Sequence, residues 1–366
     1  MSFLTNLLPT AAVLGILILI HEFGHFLACR FSGVRVEKFS IGFGPEIFHW
    51  KGKETRYVVS LLPFGGYVKP SGESISEIES GELRPYDYLA APVWKRVFIV
   101  VAGVAMNYLL SFVLFVGIFV VGRPTPLAQI GGLVKGYPAE SSGLIKGDRV
   151  LAVDGVSVKL WRDLTERLNQ VSSEQIQLKI LRQGKELEVR VPVRMENLQD
   201  VFGKAHRLPR IGILPDQEAF EIEKLAFPTA VREGFETEFQ LTAMTYKALF
   251  YLVTGRLSLR TISGPIGIVA MTGTAAKMGM IYVLHLTAVL GISLAVINLL
   301  PIPALDGGHL IFLLIEAVSG RRPSLEFQER VTQIGFTFLM ILMVLVLYND
   351  LVNLQIFDRL KVALGH

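Results

Sequence analysis

Two histidines four residues apart, His21 and His25, bracket Glu22 in the run His21-Glu22-Phe23-Gly24-His25. On a helix, residues i and i+4 share a face, so both imidazoles can reach one metal ion while the glutamate beside them holds a water molecule. Composition alone produces such a pattern in a chain of this length on the order of one time in a hundred. A catalytic zinc ion takes three protein ligands and keeps one position open, so a third ligand is needed. Asp306, in the stretch NLLPIPALDGGH, is the best candidate, although spacing alone fits an ordinary turn residue at a helix end equally well. A carboxylate following an apolar run is costly in lipid unless paired, and coordination to Zn2+ offsets that cost. Pro301 and Pro303 break the helix there, and Gly307 and Gly308 let the backbone bend close to another element. His309, on the far side of the glycine pair, is a rival ligand.

These residues need a scaffold, and composition says what kind. Of 366 residues, 51% are hydrophobic and 19% charged, too apolar for an ordinary soluble protein. The net charge of +4 comes without a basic helix or an aromatic–basic stripe, which argues for contact with anionic lipid and against nucleic acid. The single cysteine, Cys29, cannot form an internal disulfide. Four apolar segments, Phe3–Phe31, Val97–Val121, Met280–Leu300 and Ile334–Leu354, are each long enough to cross ~30 Å of hydrocarbon. The first has no basic residue before Arg30 and no small-residue cleavage site, so it reads as a retained span. Arg30, Arg35, Lys38, Lys95, Arg96, Arg321 and Arg322 flank the spans on the side expected to be cytoplasmic. The N-terminus, segment 123–278 and the C-terminus are then expected outside, with Lys277 and Arg359 running against this orientation.

The fold class expected is a polytopic α-helical membrane protein of about four transmembrane helices, with a small membrane-associated β unit and an inserted extracytoplasmic domain. Segment 34–96 opens with β-branched and aromatic runs separated by Lys-Gly-Lys and Gly-Gly turns, followed by an acidic loop. Segment 123–225 alternates strand-like runs with a helix at Leu160, Leu164 and Leu168 and a hairpin around Gln183-Gly184. Segment 226–279 begins as an amphipathic, interfacial stretch. Residues 1–33, 97–122, 280–310 and 334–366 then carry the four spans, with 311–333 a cytoplasmic loop.

In chain order, HEFGH, LPFGGYVKP, the PAESSGLIKGDRVLAVDG stretch, SGPIGI and NLLPIPALDGG resemble the site-2 protease family of intramembrane zinc metalloproteases. Within it they are similar to the bacterial regulator of sigma-E protease type, here with a single PDZ domain at 123–225. The resemblance implies a zinc site of His21, His25 and Asp306 with Glu22 as catalytic base. It implies that Asn298, with Pro301 and Pro303 of its motif, handles substrate. The β unit, with Gly65, Gly66 and Tyr67 at its edge, is expected to dock near the active site and pair with an unwound substrate. Asn298 could equally cap the broken helix. Where the family shows G-P-x-x-N, this chain has Gly103-Val104-Ala-Met-Asn107, which leaves Asn107 a packing or substrate role. The implied partners are the lipid bilayer and transmembrane proteins: anti-sigma factors trimmed by an earlier protease, or remnant signal peptides. The implied location is the bacterial inner membrane, multi-pass, with the PDZ domain on the periplasmic side.

Overall fold

The computed structural model describes residues 3–73, 83–199 and 205–353. Nine α-helices occur among the described residues: α1 (Phe3–Ser32), α2 (Val93–Val121), α3 (Pro138–Ser141), α4 (Trp161–Asn169), α5 (Phe227–Val253), α6 (Pro265–Met278), α7 (Met280–Asn298), α8 (Asp306–Ser319) and α9 (Leu325–Asn353). Four of them, α1, α2, α7 and α9, are long and apolar enough to cross a membrane. In lipid a helix satisfies every backbone polar group internally, which is why uncharged runs such as 97–121 of α2 are helical throughout. Contacts divide the chain into two units. The first holds the described residues of Met1–Gly117, Val231–Leu252 and Ser258–His366; the second holds Ile118–Ala230 and Val253–Leu257.

In the first unit, two long strands follow α1: β1 (Val36–Lys51) and β2 (Arg56–Pro70). The start of β1 is sandwiched. It pairs with Gly66–Pro70 in descending register (Phe39 with Val68, Ser40 with Tyr67), and with Arg56–Val59 in ascending register (Phe39 with Tyr57, Ser40 with Val58). The end of β1 then folds over the other side of Arg56–Ser60. Residues 66–70 therefore form an edge of this sheet.

Helix α7 stops at Asn298, before the helix-breaking Pro301 and Pro303. The departures follow it: α8 occupies Asp306–Ser319 where the sequence suggests the end of a span and a loop over 311–333, and α9 starts at Leu325, ahead of the span expected from Ile334. Pro301 and Pro303 end α7, and the turn closes through Ala304 in the left-handed region at φ 82°. Gly307 and Gly308 open α8, because a Cβ at either would collide with the carbonyls of Leu300 and Ile302. A glycine pair reads as loop in sequence, yet here it allows a helix to restart against its own incoming strand of chain. The tail beyond Asn353, expected to close the chain, lies outside the described residues.

Asp350 of α9 performs a capping role at a distance. It is 3% exposed, and its carboxylate accepts the N–H groups of Gly264 (2.8 Å), Ile266 (3.0 Å) and Gly267 (3.0 Å) at the start of α6. A helix leaves its first N–H groups unsatisfied, and Gly264 at the N-cap has no side chain to serve them. Buried amides left without an acceptor cost about 1–3 kcal/mol each. Asp350→Ala is therefore expected to lower the thermal unfolding temperature markedly in detergent, with Asp350→Asn milder because its amide oxygen still accepts. Equal melting of D350A and the parent would refute the assignment. A second buried link joins α2 to α8: Arg96, 3% exposed, grips Glu316 through contacts of 2.5 and 2.9 Å, and Arg322 adds a third at 3.3 Å. Arg96, expected only as a charge flanking a span, is thus an internal clamp.

The second unit is β-rich. After two short strands, β3 (Arg123–Pro126) and β4 (Ile130–Leu133), strands β5 (Arg149–Val153), β6 (Val156–Ser157), β7 (Gln175–Arg182) and β8 (Lys185–Pro192) form one sheet in the order β6-β5-β7-β8. The β7–β8 turn has Gln183 and Gly184 both at positive φ, the mirror-image turn that matches strand twist. Ile176, Leu178 and Ile180 of β7 face the core together with Ile130, Val150, Val153 and Leu164 of α4, each contributing about 1.5–3 kcal/mol by burial. On the other arm only Val191 is fully buried; Leu187 is exposed at the sheet edge. Arg194–Gln199 also pairs antiparallel with Ala205–Arg210, though the charged sequence gives no alternation there. In the first unit, α5 leaves Phe235, Phe239 and Phe250 exposed.

Candidate active site

Three separate stretches of chain meet at His21. Gly24 of α1 lies against the Ala102 carbonyl of α2, and Gly103 of α2 lies beneath both imidazoles. Without a side chain at these two glycines the helices approach closely, and the histidines occupy the space gained. On the other side, the turn after α7 delivers Asp306.

The second nitrogens of the imidazoles fix their orientation. His25 Nδ1 is 2.8 Å from the Ile99 carbonyl, so it carries the proton and donates, which leaves Nε2 with a free lone pair. His21 Nδ1 is 3.3 Å from the side-chain amide of Asn107, a residue with no exposed surface and a carbonyl Oδ1 lacking any partner. With the amide turned so that Oδ1 faces Nδ1–H, both groups are satisfied and His21 Nε2 is freed in the same way.

The three donor atoms then converge. His21 Nε2 and His25 Nε2 are 3.1 Å apart, and Asp306 Oδ2 is 3.2 Å from the first and 3.6 Å from the second. Metal–ligand bonds of ~2.0–2.1 Å in a tetrahedron imply ligand separations of roughly 3.3 Å. Asp306 Oδ2 is buried without a hydrogen-bond partner, as expected of an atom whose partner is a cation. The residues therefore fit a zinc ion in donor type, spacing and unmet valence. His309 is not among the converging groups; it lines a neighbouring cavity of about 200 Å3 together with Glu22, His25, Asp306, Val68 and Tyr88.

Glu22 points into that cavity, and its Oε2 accepts the Val68 N–H at 3.1 Å. The outward-facing edge of β2 thus lies directly beside the glutamate. Gly66 is buried there, with room for a Cβ blocked by Ser40 O and bordered by Glu22. Gly65, at φ 114°, accommodates the ring of Phe43, which stacks on half-buried Tyr67 at 6.1 Å. Asn298, half-buried, places its amide 3.5 Å from His21 Nε2. Of the residues expected to handle substrate, Asn107 is fully enclosed with its amide toward His21, the packing role of the two open to it, and Pro303 packs against Gly335 of α9. Pro301 is exposed on the turn. The carbonyl of Ile99 and the amide of Val68 escaped sequence reasoning because backbone groups carry no residue signature.

A multi-pass membrane protein with a His2Asp donor set and an adjacent glutamate is, as a class, a membrane metalloprotease. The chain belongs to peptidase family M50, the site-2 proteases, whose family model matches residues 9–342. A Rhizobium meliloti relative, provisionally named a zinc metalloprotease, is 35% identical over 353 residues, covering 93% of this chain and 94% of that protein. The zinc metalloprotease RasP of Geobacillus kaustophilus is 29% identical, covering 95% of this chain and 98% of that protein. The chain is therefore a zinc metalloprotease. Among solved structures, the PDZ domain of an SdrC-like protein from Listeria monocytogenes is similar over 26% of this chain and 90% of that domain, with 16% identity and a TM-score of 0.21.

Proposed function

We propose that this zinc metalloprotease is an intramembrane endopeptidase that cuts single-span membrane proteins within or at the edge of the bilayer. Anti-sigma factors already trimmed outside, and remnant signal peptides, are its proposed substrates. The observation that carries the reading is the convergence of His21, His25 and Asp306 from apolar helices, with Glu22 beside them facing a cavity.

Zinc, held by His21, His25 and Asp306 when bound, supplies a Lewis acid that polarises the scissile carbonyl and activates water. Glu22 takes the proton of that water and passes it to the leaving amine. The Asn298 amide donates to the carbonyl oxygen as negative charge develops on it. Asn107 and the Ile99 carbonyl hold the imidazoles in the tautomer that keeps both Nε2 lone pairs free.

A helix hides its carbonyls in i→i−4 hydrogen bonds, so the segment to be cut must unwind and present itself extended. The edge of β2 beside Glu22 is its proposed neighbour, with strand addition as the mode of binding. Substrates with glycine or proline in the span, which unwind at lower cost, are therefore favoured. The flanking basic residues support an inner-membrane protein with the β-rich unit, read as a PDZ domain, on the periplasmic side.

The test uses purified enzyme reconstituted with a single-span substrate, its products sized by mass spectrometry. Cleavage should map within the apolar span, and inserting Gly-Pro at the cut site should raise the rate about tenfold or more. Cuts confined to soluble flanking sequence would refute the intramembrane reading.

A further inference from the structure

A second polar cavity lies where α1 ends. It measures about 320 Å3 and is lined by Arg30, Gly33, Val34, Arg35, Glu54 and Tyr86. Arg30 pairs with Glu54 at 2.6 Å. Arg35 has no carboxylate partner among the described residues; its guanidinium stands over the Tyr86 ring, 5.7 Å from the centroid. Arg84 shares that ring at 5.9 Å and bonds its hydroxyl at 3.0 Å. Lys95 reaches the Ser32 carbonyl at 2.8 Å. Two guanidiniums, Arg30 and Arg35, thus line the cavity with one carboxylate, Glu54, and Arg84 stands against its Tyr86 wall. Of the acids near Arg84, Asp87 accepts from Ser71 and from the Arg84 N–H, and Glu37 pairs with Lys69.

The apolar surroundings identify the level of this cluster. Phe31, 80% exposed, and Trp94, 67% exposed, stand at the adjoining ends of two membrane-crossing helices. Exposed aromatics at span ends sit at the water–lipid boundary. We propose that this cavity binds the phosphodiester headgroup of an anionic glycerophospholipid, with Arg35 and Arg84 on the phosphate and the acyl chains descending past Phe31 and Trp94. Planar guanidinium groups suit phosphate oxygens through paired hydrogen bonds. Glu54 sets the preference, because it satisfies Arg30 and leaves the charge excess on the Tyr86 side.

Such a lipid would also fix depth. Arg30 follows His25 by five residues on one continuous helix, which is about 7.5 Å of rise. A headgroup held here keeps the histidines roughly a turn and a half below the phosphate plane.

The full chain is reconstituted in nanodiscs of phosphatidylcholine with a minor fraction of phosphatidylglycerol, and lipids retained after partial delipidation are counted by native mass spectrometry. The parent should keep one phosphatidylglycerol in preference to phosphatidylcholine. The double variant R35Q/R84Q should keep it about thirtyfold less well, and R35Q alone about fivefold less, with cleavage in pure phosphatidylcholine discs unchanged. If the double variant fails to fold, the single variant reads the same site. Equal retention by parent and R35Q would overturn the proposal. So would displacement of the lipid by millimolar inorganic phosphate, which would make this a soluble-anion site.

Discussion

Glu22→Gln is expected to slow cleavage of a transmembrane substrate by about 10²–10⁴-fold while leaving roughly one zinc per chain. The substitution is nearly isosteric, and the Gln carbonyl oxygen can still accept the Val68 N–H that now meets Glu22 Oε2. The three proposed zinc ligands are untouched. What disappears is a carboxylate able to accept a proton from water and return it to the amine. The measurement needs both metal analysis and initial rates, because loss of zinc alone would also silence the enzyme. A parent-like rate in a zinc-replete E22Q sample would remove the general base from the mechanism.

Gly103→Ala is the second large effect, and it sets two forces against each other. Alanine in a helix interior is favoured over glycine by about 1 kcal/mol, so α2 itself should gain. The new Cβ, however, would fall within 3.0 Å of both His25 and His21. Each imidazole is already pinned on its other side, by Ile99 and by Asn107. The rings must therefore turn away from their shared focus. Zinc content should fall more than tenfold and activity with it, while helicity and melting of the metal-free protein hold or rise. Gly117 provides the control: it lies in the same helix, and a Cβ there meets nothing within 4 Å. Gly117→Ala should keep zinc and activity. Full zinc occupancy in G103A would show that the donors do not lie where they are assigned.

The parts of this site visible in the amino-acid sequence are those that depend on local spacing. His21, Glu22 and His25 share a helical face by their numbering alone, and Asp306 stands out as an acid after an apolar run. What stays hidden depends on which helices meet. Nothing in the sequence near Asn107 says that its amide faces His21 instead of substrate, since that follows from the approach of α1 to α2 at Gly24 and Gly103. Val104, where the family has proline, is 4% exposed and lies within the unbroken helix Val93–Val121, so the departure leaves α2 regular. Helix α8 is not legible because Gly307-Gly308 signals a loop by composition, whereas the reason for the glycines is steric contact with Leu300 and Ile302. Asp350 carries no motif at all; its partners lie more than eighty residues upstream.

The bend between α7 and α8 also bears on how the door to the catalytic chamber works. Because Asp306 is rooted in a stiff elbow that folds back on its own carbonyls, tilting α7 would drag the aspartate along. Since the imidazoles are seated on α1 and braced by α2, such a tilt would tear the ion from one of its holders. Opening for a bulky guest must then spare that tripod. Helix α9 is tied to the elbow at Pro303 and to α6 through Asp350, so the panel left to swing is the sheet whose rim touches Glu22.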